Sequence, residues 1–248
     1  MLFAIGAGKQ VVAVDDQSNY PPNAPMTKLS GYTPNVEAIA GYSPDLVVSD
    51  SDTAGLVNGL AAVDVPTLIE PAAGTLNDSY TQVEQLGTAT GHINEARSLV
   101  SAMRTEVASI AGSLGHLAHT FSVYHELDDT YYSATSHTFI GQVYALLGLR
   151  DIADQASGAA AGFPQLSSEF IVNANPDLIV LADTKCCHQD AQTIAARPGW
   201  SSIAAVRSGE IAAVDDDVAS RWGPRVIDFM RIIAARVLQL EHRAGPGT

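Results

Sequence analysis

The 248 residues include only two cysteines and three lysines, and no apolar run approaches the ~20 residues that a membrane-spanning helix needs. The cysteines are adjacent, Cys186-Cys187, so a bridge between them closes a strained small ring and no disulfide framework staples the fold. Two thiols near a loop is the ordinary reading; in an oxidising compartment a vicinal disulfide beside a ligand site is the alternative. Basic residues are scarce as well, 13 against 27 acidic ones. The resulting net charge of −14 repels phosphate backbones and anionic lipid surfaces, which argues against nucleic acid as a partner. Enzyme signatures are missing too. There is no Gly-x-Ser-x-Gly elbow, phosphate loop or His-Glu-x-x-His, and Gly6-Ala-Gly8 lacks the third glycine of a dinucleotide fingerprint. An α/β enzyme with cleft acids as general acid and base therefore has no nucleophile, cofactor loop or metal motif behind it. The first residues, Met1-Leu-Phe-Ala-Ile-Gly6, carry no basic, apolar leader and read as the end of an amphipathic helix, so further sequence is expected upstream.

What the chain does have is a hydrophobic fraction of 46% and length for two cores. Its longest unbroken pattern runs from Asn94 to Leu114: Ile93, Ala96, Val100, Met103, Val107, Ile110 and Leu114 recur at steps of three and four. That spacing makes one buried stripe on a helix about 30 Å long, with Asn94 as its expected cap. On either side lies a repeat. Glu37-Ala-Ile-Ala-Gly-Tyr-Ser-Pro44-Asp45-Leu-Val-Val48 is matched by Glu169-Phe-Ile-Val-Asn-Ala-Asn-Pro176-Asp177-Leu-Ile-Val180, and both Glu37 to Glu169 and Pro44 to Pro176 are 132 residues apart. A repeat on this scale means two lobes of similar build rather than a solenoid. Each copy reads as a short helix, stopped before the proline and followed by a buried strand.

Along the chain, strands are expected at Val11–Val14, Asp45–Asp50 and Thr67–Glu70 in the first lobe, and at Thr120–Glu126, Leu178–Ala182 and Ile211–Val214 in the second. Helices are expected at 54–62, 76–90, 139–147, 191–196 and 226–241, besides those of the repeat. This alternation argues for parallel sheets covered by helices, with lobes at 1–75 and 118–248 and linking helices at 76–117. Ligands of such sheets bind beyond the carboxyl ends of the strands. The loops there, 15–33, 50–53, 127–136, 183–188 and 215–225, hold Tyr20, Tyr32, Asp50, Tyr131, Tyr132, Asp217, Arg221 and Trp222, with Phe163 and Pro164 just before the second repeat helix. If two lobes face each other, these aromatics and polar groups line a cleft suited to a small, partly flat ligand.

Other groups have competing readings. His116, His119 and His125 could hold zinc, or the first two could simply complement the C-terminal dipole of the long helix. Asp215-Asp216-Asp217 could ligate a cation, or be solvated with one of them paired to Arg221, four residues on. Tyr131 and Tyr132 fit either core or site. Glu37 and Glu169 each sit in a first helical turn, where negative charge is favourable. That does not explain an acid kept at the same place in both copies. One exposed carboxylate per lobe suits docking on a pseudo-twofold partner that offers basic groups.

Taken together, Met1-Leu-Phe-Ala-Ile-Gly6, Tyr20-Pro-Pro22, the two Glu-to-Pro-Asp blocks, Phe139-Ile-Gly141, Leu147-Gly148 and Trp222-Gly-Pro-Arg225 resemble the substrate-binding proteins of ABC importers for vitamin B12, ferric siderophores and haem. The likeness spans essentially the whole chain and is greatest to the vitamin B12 binders. It implies two Rossmann-like α/β lobes with parallel sheets joined by a single long rigid helix, the helical-backbone metal-receptor type of periplasmic binding fold. It further implies no enzymatic activity and no catalytic cofactor. The implied ligand is a cobalamin-like corrinoid, with a ferric siderophore or haem, held by Tyr132 or His125, as the alternative. By the same resemblance Glu37 and Glu169 meet arginines of the permease dimer, Tyr132 and Phe163 lie against the corrin, and Asp217 and Arg221 reach polar groups of the ligand. Gly31 and Asp50 depart from the pattern, standing where the best-known B12 binder has tryptophans. The family also has a first strand and an export signal or lipobox ahead of this Met1, so the expected protein is an extracytoplasmic, periplasmic or lipid-anchored monomer.

Overall fold

The computed structural model describes residues 1–245. Packing divides the chain into two compact units, residues 1–73 with 77–102, and residues 74–76 with everything from Met103 onward. The first contains α1 (Val36–Ala40), β1 (Val47–Ser49), α2 (Leu56–Ala61), β2 (Thr67–Ile69) and most of α3 (Leu76–Thr90). Helix α4 (Ile93–Ser113) then carries the chain from the first unit into the second. Most of its stripe is buried, at Ala96, Val100, Met103, Ile110 and Leu114, whereas Val107 is half-buried and Ile93, expected in the stripe, is exposed. Its start is not where Asn94 would cap it, because Ile93 is already helical and Asn94 lies in the first turn.

The second unit contains β3 (Phe121–Glu126), α5 (Phe139–Leu146), β4 (Leu149–Asp151), α6 (Ser168–Ala174), β5 (Leu178–Leu181), α7 (Ala191–Ala195), α8 (Ala204–Ser208), β6 (Ile211–Ala213), α9 (Asp216–Ala219) and α10 (Val226–Ala244). Its sheet is entirely parallel, in the order β4-β3-β5-β6. All six residues of β3 and all four of β5 are buried, as the two middle strands of a sheet covered on both faces must be. The core beneath α6 to α8 gathers Tyr124, Ile152, Leu166, Ile171, Ile179, Leu181, Ile194 and Trp200. On α10, Val226, Ile227, Met230, Ile233, Ala234 and Val237 face inward as the spacing predicts, whereas Leu238 is exposed and Phe229 and Leu240 are buried.

The repeat holds residue by residue within each unit. Asn35 and Ser167 are equivalent caps, accepting hydrogen bonds from the backbone N–H of Ala38 and Phe170 at 2.8 and 3.1 Å. Glu37 and Glu169 follow in the first turns of α1 and α6. Each block then reverses through a left-handed residue directly before the proline, Ser43 (φ 50°) and Asn175 (φ 49°), which turns the chain into β1 or β5. Proline disfavours the right-handed helical region for the residue ahead of it, so both helices stop at this point.

Several expectations fail for identifiable reasons. The strand expected at Val11–Val14 shrinks to a single bridge, Val14 to Met26; Val12 is exposed, and among the described residues β1 pairs only with β2. Helix 54–62 starts late: Ala54 (φ 58°) and Gly55 (φ 70°) are left-handed, so a single 3₁₀ turn at Thr53–Gly55 precedes α2. The opening residues form turns and a 3₁₀ helix, Ala7–Gln10, with Ile5 and Ala7 buried. Strand β4 was not foreseen: Leu-Arg-Asp is too short to show a period, and only pairing with Phe121–Val123 makes it a strand.

Candidate functional site

In the second unit the chain leaves β3 to one side for β4 and returns on the other side for β5, so the strand order reverses between β3 and β5. A crevice at the carboxyl ends of two such strands is the ordinary binding place of an open parallel sheet. Glu126 ends β3 and Asp183 lies just beyond β5, and both side chains are fully buried. Arg197, following α7, clamps Glu126 through two parallel hydrogen bonds of 2.6 and 2.7 Å and donates a third, of 2.9 Å, to Gln189. Its guanidinium lies 4.6 Å from the ring centre of Trp200 and 5.2 Å from that of Tyr131. Burial, and then the neighbouring Glu126 carboxylate, push Asp183 up to about 8, so it holds a proton at neutral pH. One cation, one carboxylate and one neutral acid leave the floor of the crevice electrically balanced.

Above this floor the loop after β3 pairs with the segment that precedes α6. Tyr132 forms an antiparallel bridge to Gln165, the Ser133 N–H donates to the Pro164 carbonyl (3.0 Å), and the Leu166 N–H donates to Tyr131 (3.0 Å). These bonds bring Tyr132 and Phe163 onto neighbouring segments, and both stay outside the core, 40% and 50% exposed. Gly141 makes the loop's approach feasible: a Cβ there would stand 2.0 Å from the Thr135 carbonyl oxygen. Tyr131, at φ 71°, turns the other way and packs, half-buried, against Trp200 at the margin of the core, ring centres 5.9 Å apart.

The loop after β6 supplies the charged part. Asp215 caps α9 by accepting from the Asp217 N–H (3.0 Å). Asp217 pairs with Arg221 at 2.6 Å and with Lys185 at 2.9 Å, and Asp215 takes Lys185 at 2.7 Å and Arg225 at 3.8 Å. Asp216 turns the other way and accepts from the Thr184 hydroxyl (2.9 Å) and the N–H groups of Lys185 and Cys186 (both 3.0 Å). Burial opposes its ionisation, but these hydrogen bonds outweigh it and hold the carboxyl below its ordinary value. The expected i,i+4 partner of Arg221 is thus Asp217, and each of the three cations here is engaged by Asp215 or Asp217. Trp222 is half-buried beside them.

In the first unit, Tyr20, Tyr32 and Asp50 are exposed, the tyrosines in the loop that follows Val14 and Asp50 directly after β1. The Asp50 carboxylate accepts from the Ser51 hydroxyl at 3.1 Å. The zinc and iron readings of the histidines do not survive. Among the described residues no three His, Cys, Asp or Glu side chains come together to hold a metal. His119 pairs with Glu241 at 3.4 Å, while His125 lies fully buried against Tyr144 and Phe229 with its Nδ1 2.6 Å from the Tyr144 hydroxyl. Burial pushes His125 down to about 3, and the same burial seals its imidazole away from an iron bound outside the core. Sequence reasoning also missed Lys185, Glu126, Asp183 and Arg197. An acid closing an apolar run flags Glu126 and Asp183, but Arg197 has no local signal, because its partner is 71 residues away.

Parallel strand ends that present exposed aromatics and internally paired charges define a ligand-binding protein of the α/β type. The family model described as periplasmic binding protein matches residues 1–218, and the chain belongs to that family. It is a binding protein and not an enzyme, and family membership carries an extracytoplasmic location. It is 28% identical, over 95% of its length and 75% of the relative's, to an uncharacterised ABC transporter substrate-binding lipoprotein, YvrC, of Bacillus subtilis. It is 29% identical to a cobalamin-binding protein of Halobacterium salinarum, over 94% of its own length and 65% of that protein's. The structure superposes with a TM-score of 0.83 on the apo form of the periplasmic heme-binding protein RhuT from Roseiflexus, at 22% identity over 97% of this chain and 94% of that one, a likeness that speaks for the fold alone.

Proposed function

We propose that this chain captures a cobalamin-like corrinoid and delivers it to the permease of an ABC importer. The observation that carries this reading is that no cation of the loop after β6 is left without an acidic partner, while two aromatics of the same unit stay exposed. Lys185, Arg221 and Arg225 are each engaged by Asp215 or Asp217, and Tyr132 and Phe163 stand out from paired segments nearby in the chain. A corrinoid is a large, flat ring fringed with neutral amides, which need donors and acceptors rather than a surplus of cations. An anionic haem or ferric chelate favours unmatched positive charge. The name of the Halobacterium relative agrees with this choice. Trp222 belongs to the same proposal as a contact from the loop after β6.

A titration with cyanocobalamin, run in parallel with hemin, tests it. One-to-one cyanocobalamin binding is expected, weakened about tenfold in Arg221→Ala, the scale of one charge-assisted hydrogen bond. The haem or siderophore reading keeps one specific support, the exposed phenol of Tyr132. Hemin binding with a visible shift that disappears in Tyr132→Phe replaces cobalamin by that alternative.

Delivery rests on Glu37 and Glu169. Both are exposed in the first turns of side-chain-capped helices, at equivalent places of the repeat. Each is proposed to meet a basic group of the permease. Glu37→Lys and Glu169→Lys are expected to cut uptake in cells while leaving ligand affinity unchanged; unaltered uptake in both variants removes the docking assignment.

A further inference from the structure

The adjacent thiols of Cys186 and Cys187 play no part in the binding surface described above, yet their surroundings are specific. Both are unbridged, Cys186 is exposed and Cys187 half-buried. Three main-chain bonds hold the pair in place. The Cys186 N–H donates to Asp216 (3.0 Å), the Cys187 N–H donates to the Asp183 carbonyl (3.2 Å), and the Cys187 carbonyl accepts from the Gln189 side chain (3.0 Å). The next residue, His188, is left-handed at φ 55°, so the turn is tight on the far side as well.

We propose that Cys186 and Cys187 are a redox modification site, a vicinal dithiol that closes to a disulfide by exchange with a low-molecular-weight disulfide outside the cytoplasm. The electron balance is simple. One thiolate attacks the small disulfide, forms a mixed disulfide and releases one small thiol; the second cysteine then displaces the other small thiol. The two protein thiols lose two electrons and two protons, and one small disulfide becomes two thiols.

The same geometry makes closure reversible and consequential. Successive Cα atoms are held about 3.8 Å apart, short of the roughly 4.4–6.8 Å that disulfides prefer, so the ring is strained and readily reduced. The ring also contains the Cys187 amide, which must turn and so leaves the Asp183 carbonyl. The displacement pulls Cys186 from Asp216, the residue that ties this loop to α9, where Asp217 holds Lys185 and Arg221. Burial, the Cys187 thiol and the Asp216 and Asp183 carboxylates push the Cys186 thiol up to about 12. Closure therefore quickens as pH rises.

The test uses the whole chain treated with oxidised glutathione and read by intact mass. The expected product is a monomer lighter by two hydrogens and free of glutathione, restored by dithiothreitol, whereas Cys186→Ser and Cys187→Ser each retain one glutathione. Wild type that keeps glutathione adducts, or keeps two free thiols, overturns the site. In the closed form, amide deuterium exchange across residues 184–190 is expected to rise about fivefold, the scale of one lost hydrogen bond. Unchanged exchange overturns the coupling to Asp216. Neither readout depends on the ligand, so the corrinoid reading can fail without deciding this one.

Discussion

Arg197→Ala is expected to destabilise the protein by about 3–5 kcal/mol, the usual result of removing one partner from a buried ion pair. Glu126 has no exposed surface, and its two oxygens are both taken by the same guanidinium. Without Arg197 the carboxylate must either stay buried and charged beside Asp183 or take up a proton. Loss of the planar group over Trp200 and Tyr131 adds about 0.5–1 kcal/mol for each ring. For a chain of this size the combined effect lowers the melting temperature by roughly 10 °C. Arg197→Lys keeps the charge but not the fork, and falls between wild type and Arg197→Ala. Urea unfolding of the three proteins checks the order. A cost below about 1 kcal/mol for Arg197→Ala shows that Glu126 is not held by this pair.

The second large effect is a pH dependence centred on Asp151. The side chain is buried at the end of β4, neither oxygen receives a hydrogen bond, and burial and then Asp154 push it up to about 8. The folded protein therefore keeps this proton up to about pH 8, whereas the unfolded chain releases it near ~3.9. Between those values unfolding releases a proton, so stability is full below the unfolded value and falls by about 1.4 kcal/mol per pH unit as pH rises. Asp183 acts in the same direction. His125 acts in the opposite one: its value is pushed down to about 3, so stability is lost as pH drops below ~6.5 toward that value. Comparing Asp151→Asn with wild type cancels the groups they share. The neutral amide is expected to match wild type near pH 4 and to gain on it by about 1 kcal/mol for each unit from pH 5 to 8. Parallel stability curves show instead that Asp151 is already ionised in the fold.

The helical stripe of α4 and the two Glu-to-Pro-Asp blocks were legible because their information is local. A period of three and four residues shows which face of a helix is buried, and a cap, a turn before proline and a three-residue apolar match, Leu46–Val48 with Leu178–Val180, recur 132 positions apart. The Asp217–Arg221 pair was legible for the same reason, since i,i+4 neighbours on a helical turn meet whatever lies around them. Strand Val11–Val14 read equally well and proved wrong, because β-propensity describes a fit to a neighbouring strand and those residues have only the Met26 bridge.

By itself, then, the sequence determined the α/β class, the order of most helices and strands, the repeat, and the loops after strands in which Tyr132, Asp217 and Arg221 lie. Tertiary structure alone decided that Tyr131 packs against the core while Tyr132 is exposed, that His125 is sealed beside Tyr144, and that Arg197 neutralises Glu126 at the point where the strand order reverses. The physical reason is distance along the chain. Periodicity, caps and turns act over a few residues. Burial and charge compensation depend on side chains 19 to 71 positions apart meeting in one low-dielectric interior, which only the folded sheet arranges.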